Sequence, residues 1–129
     1  MITIDGDPKG KQRPRFSQGH TYTPAETQEY EKIVHDTWIW QEKRTYHGYV
    51  RVEIRAYFKI PDSYSESVKM AMRTGERRPA KRPDIDNIEK IIYDGLNGAA
   101  YDDDAQIVET STEKWYSDNP RVEIEVIEI

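Results

Sequence analysis

Between Arg82 and Gln106 the chain reads RPDIDNIEKIIYDGLNGAAYDDDAQ: two aspartates two residues apart, a lysine four beyond the second, then three consecutive aspartates after an apolar segment. Carboxylates gathered around a lysine are what a divalent-metal phosphodiester site needs, hard oxygens for an ion such as Mg²⁺ and a positive charge for the phosphate. Asp84, Asp86 and one of Asp102, Asp103 and Asp104 make a chemically sensible ligand set. The mutual repulsion of the last three would be relieved by a bound cation or a basic neighbour. Each residue also has a plainer reading: Asp86 as an N-cap, Asp84 as a turn residue, Lys90 as the i,i+4 partner of Asp86, and Asp102 to Asp104 as an acidic loop.

The local sequence says how these residues are held. Pro83 disfavours helical backbone before it and lacks an amide hydrogen, so Arg82 to Asp84 should run extended into a helix. In such a lead-in Asp84 and Asp86 share a side, and Asp86 can cap a helix starting near Asn87 and ending at Asn97-Gly98. At about 100° per residue, Ile88, Ile91, Ile92 and Leu96 form an apolar stripe, with Asp86, Lys90 and Asp94 opposite. Asp94 lies about two turns from Asp86 and is left out of the site. Tyr101 to Gln106 reads as a loop entering a strand, placed to fold back over the helix start.

In order, spacing and residue type the segment D-x-D-N-x-x-K, a helix, then D-D-x-Q resembles the signature of the RusA family of Holliday junction resolvases. Lys11-Gln-Arg-Pro-Arg-Phe16 and the stretch Tyr22 to Tyr30 resemble, less specifically, an N-terminal pattern of RusA relatives. The resemblance implies a homodimeric, Mg²⁺-dependent endonuclease, with Mn²⁺ able to substitute, that resolves four-way DNA junctions by paired symmetric nicks. A two-fold dimer would present two identical sites to a junction of approximate two-fold symmetry. Carried over residue by residue, Asp84, Asp86 and Asp104 hold the metal, with Asp103 as the alternative to Asp104. Lys90 adds charge at the phosphate, and Asn87 orients an aspartate. The other readings to separate are a flap or branched-DNA nuclease and a junction-binding protein without catalysis. A pure binding module has no need of Lys90 among three aspartates.

A net charge of −5 by itself argues against a DNA partner, because affinity for DNA comes largely from Lys and Arg neutralising phosphates. The charge is unevenly spread. Lys9, Lys11, Arg13 and Arg15 form one basic run with no acid among them, and Arg77, Arg78, Lys81 and Arg82 end a second that leads into the aspartates. From Asp102 to Ile129 there are nine acids against two bases. The two basic runs are the candidate DNA contacts.

With 129 residues, 36% of them hydrophobic, the chain reads as one small domain with a modest core. Zero cysteines exclude disulfides, thiolate zinc sites and a cysteine nucleophile. The three histidines, His20, His35 and His47, show no ligand spacing. No run is long enough to cross a membrane and Met1 opens no signal-peptide pattern, so a cytoplasmic protein is expected. A short strand at Met1 to Ile4 precedes a helix from Pro24 to about Trp40, with Thr23 as N-cap, Glu26 completing a capping box, and Tyr30, Ile33, Val34 and Trp38 as its core stripe. From Tyr49, Val50, Val52, Ile54, Ala56 and Phe58 alternate with polar residues as in a half-buried strand. Ser63-Tyr-Ser-Glu66 predicts a helix over Tyr64 to Arg73, and Glu76 to Pro83 an exposed loop. Gln106 to Trp115 and Arg121 to Ile129, divided by Ser117-Asp-Asn-Pro120, predict a hairpin. The sum is an α+β fold, a small mixed sheet with helices packed on one side.

Overall fold

In the computed structural model, which describes residues 1–129, the chain runs β1 (Ile2–Asp5), β2 (Arg15–Ser17), β3 (His20–Tyr22), α1 (Ala25–Gln41), β4 (Val50–Lys59), α2 (Glu66–Arg73), α3 (Ile85–Leu96), a 3₁₀ turn (Asp104–Gln106), β5 (Ile107–Ser117) and β6 (Arg121–Glu128). The alternation in β4 decides the centre. Val50, Val52, Ile54, Ala56 and Phe58 are all buried and meet Tyr30, Val34 and Trp38 of α1 and Ile88, Ile91, Ile92 and Leu96 of α3 in one cluster. Ile33, expected in the α1 stripe, instead lies 46% exposed. The two helices touch closely because residue 95 is glycine: a Cβ there would come within 2.9 Å of the Val34 Cβ. The result is an α+β fold, a four-stranded mixed sheet with α1 and α3 on its core face, while α2 packs beside β5.

Sheet order is β1-β6-β4-β5, with β4 antiparallel to β6 and parallel to β5. The expected β5–β6 hairpin therefore does not form: the chain reverses at Ser117 to Pro120, but β4 lies between the two strands. Side-chain character explains the order. The core-side residues of β6, Val122, Ile124 and Val126, are aliphatic and buried, as a central strand requires, whereas β5 offers Thr110, Thr112 and Lys114, suited to an edge. On the opposite sheet face Glu123 accepts from Arg55 at 3.1 Å and Arg121 at 2.9 Å. Burial alone would raise the Glu123 pKa, but these two guanidiniums outweigh it and hold it below the usual glutamate value.

Helix starts differ from the sequence reading by one or two residues. Pro24, not Thr23, occupies the N-cap position of α1, and no side chain caps it. Ser65 rather than Ser63 caps α2, its hydroxyl accepting from the Val68 amide at 3.4 Å. The third helix begins at Ile85, so Asp84 holds the N-cap position in extended conformation and Asp86 lies within the first turn. The helix thus starts two residues early with an aspartate again at the N-cap position, but the Asp84 side chain makes no capping hydrogen bond.

Candidate active site

The N-terminal end of α3 presents the first two aspartates. Asp84 makes no capping hydrogen bond with its side chain, and both Asp84 and Asp86 are exposed. The unpaired amides and dipole of the helix end favour negative charge there. Asn87, one residue on, gives its backbone carbonyl to the Lys11 amide at 2.9 Å. This bond lays the N-terminal strap across the helix start, where a Cβ on Gly10 would sit 2.7 Å from the Pro83 Cβ.

The acidic loop is built so that one of its three aspartates stays free. Asp102 pairs with His47 Nδ1 at 2.8 Å. The Asp103 carboxylate accepts from the Ala105 amide at 3.2 Å as the cap of the 3₁₀ turn. Gln106 closes that capping box: its Oε1 accepts from the amides of Asp102 and Asp103, and its Nε2 donates to the carbonyls of Tyr46 and Gly48, both at 2.9 Å. Asp104 has neither a hydrogen-bond nor an ion-pair partner for its carboxylate, and its turn packs against α3. Buried Tyr101 lies beneath, donating to the Tyr93 carbonyl at 2.9 Å. Burial, and after it the negative charge of Asp104, pushes the Tyr101 phenol far above its ordinary pKa and keeps it neutral.

The lysines are placed differently from one another. Lys90 stands on the exposed face of α3 with its ammonium 3.8 Å from Asp94 rather than on Asp86. Lys11 reaches between the helices to Glu31 at 2.6 Å and Asp94 at 3.0 Å. Burial opposes its charge, but the two carboxylates prevail and raise its pKa. Lys11 is thus a pin fixing the strap to α1 and α3, a role its place in a basic run did not disclose. Lys9, Arg13, Arg15, Arg77, Arg78, Lys81 and Arg82 are all exposed. Of these, Arg78 stacks 3.4 Å above the Trp115 ring and donates to the Lys114 carbonyl at 2.6 Å. A cleft lined by Asp7, Pro8, Phe58, Lys59, Lys81 and Arg82 separates the N-terminal strap from a second strap, Glu76 to Pro83. The more apolar cavity, around Trp38, Ile39, Trp40 and Ala99, lies at the other end of α3, and its ionisable lining residues are Lys43 and Arg44, with no carboxylate.

The donors suit a hard divalent ion. Asp84, Asp86 and Asp104 offer only carboxylate oxygens, uncommitted to other groups, and no thiolate or imidazole stands among them. The chain alone does not close any three acidic or histidine side chains onto a common point.

A family model described as Endodeoxyribonuclease RusA matches residues 5–127, which takes in both straps, α3 and the acidic loop. The chain belongs to the RusA family. Among curated proteins it is similar to Uncharacterized protein YqaN of Bacillus subtilis (strain 168), 33% identical over 135 residues that cover 99% of this chain and 95% of the relative. Membership makes the chain an endodeoxyribonuclease and agrees with the Holliday junction resolvase signature read from Asp84 to Gln106. No helix of this RusA-family fold is long and apolar enough to cross a membrane. The sequence reading named Lys11 and Gln106 but not their positioning roles. Gln106 was visible as a motif position, while nothing local marks Lys11, whose partners lie 20 and 83 residues away.

Proposed function

We propose that the chain is a homodimeric, Mg²⁺-dependent endonuclease that resolves four-way DNA junctions in the cytoplasm by paired symmetric nicks. The observation that carries this reading is the uncommitted state of Asp84, Asp86 and Asp104 where their acidic neighbours Asp94, Asp102 and Asp103 are all engaged. Those three carboxylates would hold the ion. When bound, Mg²⁺ or Mn²⁺ supplies charge against the scissile phosphate and lowers the pKa of water for in-line attack. Lys90, exposed on the same helix, adds positive charge at the phosphate, and its i,i+4 tie to Asp94 is weak enough to give way. Asn87 orients an aspartate, and Asp103 holds the loop that presents Asp104.

DNA enters over the exposed cations Lys9, Arg13, Arg15, Arg77, Lys81 and Arg82, which flank the aspartates from two straps. One such site cuts one strand, so two symmetric nicks call for a second copy. The test is cleavage of a labelled mobile four-way junction beside linear duplex and flap controls, in Mg²⁺ and in EDTA. Cutting confined to the junction and abolished by EDTA supports the reading; preferential cutting of flaps replaces it with a flap nuclease.

A further inference from the structure

Three core-side residues of β5 stand in line along α3. Thr110 Oγ1 lies 2.6 Å from the Tyr93 hydroxyl, Thr112 Oγ1 donates to Glu89 at 2.7 Å, and Lys114 comes next. Two strand residues advance about 6.6 Å and one helical turn about 5.4 Å, so each step along β5 keeps pace with a turn of α3. The turn before Glu89 is the first turn of the helix, beside Asp84. There the Lys114 ammonium donates to the Lys81 carbonyl and stands 5.1 Å from the centre of the Phe58 ring, within the field of Asp84. No carboxylate pairs with it. A cation at a half-buried core-side position is costly to desolvate, and packing alone would be served by an apolar side chain.

The strap Glu76 to Pro83 is fastened to this one residue at two points: Arg78 donates to the Lys114 carbonyl, and the Lys114 ammonium donates to Lys81. We propose that Lys114 is a positioning residue for Asp84, clamping the strap against β5 and so fixing the backbone from which Asp84 projects. This deepens the nuclease reading and rests on it. Lys114 reaches the site from the sheet, whereas Lys90 stands on the helix beside Asp94.

Two variants test the clamp. Lys114→Met keeps the stem packed on Phe58 and removes the charge; Lys114→Arg keeps a donor. Junction turnover of Lys114→Met is expected to fall roughly 100-fold while its junction affinity in EDTA holds, with Lys114→Arg recovering most of the loss. Trypsin should cut after Lys81 faster in native Lys114→Met than in the wild type, a readout that needs no nuclease activity. Unchanged tryptic cleavage overturns the clamp, and a faster cut with undiminished turnover overturns its catalytic role. If turnover falls only as far as affinity does, Lys114 is a DNA contact instead. A wild type that leaves junctions intact refutes the nuclease reading itself, while the tryptic comparison still decides the clamp.

Discussion

Asp103 and Asp104 are adjacent and identical in type, yet the fold gives them opposite tasks: one carboxylate caps a backbone amide and the other is uncommitted. Asp104→Asn is therefore expected to lower junction cleavage at least about 100-fold with little change in stability. Asp103→Asn retains a capping oxygen and should cleave near the wild-type rate. Single-turnover rates at saturating Mg²⁺ read the difference. The segment proposed to hold the metal was legible because a hard ion favours oxygen donors such as carboxylates, and Asp84 and Asp86 stand at the end of a helix with a strong apolar period. The sequence left the choice between Asp103 and Asp104 to a resemblance, since the choice depends on Gln106 reaching back to two amides and across to Tyr46 and Gly48.

Elements were legible where their period was strong. The β4 alternation and the α3 stripe are found as read, whereas α1 begins at Ala25 without its expected cap because Pro24 takes the N-cap position. The β5–β6 relation was misread because a turn cluster reports a reversal of direction, not which strands become neighbours; the polar core-side residues Thr110, Thr112 and Lys114 were the overlooked sign of an edge strand. Two predictions belong to this scale. Gly95→Ala forces Cβ toward Val34 and the Glu31 carbonyl and should cost about 1–3 kcal/mol, read as a lower denaturant midpoint. Gln106→Ala removes both ties of the acidic loop and should destabilise by about 1–3 kcal/mol while also reducing cleavage, because Asp104 loses its support.

Across the whole molecule, the face of the sheet away from the helices is held by charge rather than by apolar packing. Arg55 and Arg121 keep the Glu123 pKa below its ordinary value, so the folded state binds that proton less readily than the unfolded chain does. This stabilisation is complete above the ordinary glutamate pKa and is lost as pH falls through the lower folded-state value. Glu123→Gln should accordingly lower Tm at neutral pH, and the gap to the wild type should narrow under acid titration. The acidic net charge and a DNA substrate are reconciled at this scale too, since Arg77, Lys81 and Arg82 lie exposed in the strap that leads into Asp84 while Glu53, Glu109 and Glu123 are engaged in ion pairs on the far sheet face. The most direct test is to incubate the purified chain with a labelled mobile four-way junction in Mg²⁺ and map the cuts. Symmetric nicks in opposing strands at the branch point, absent in EDTA and in Asp86→Asn, are the predicted result; persistent cutting by Asp86→Asn at the wild-type rate would contradict the assignment of the site.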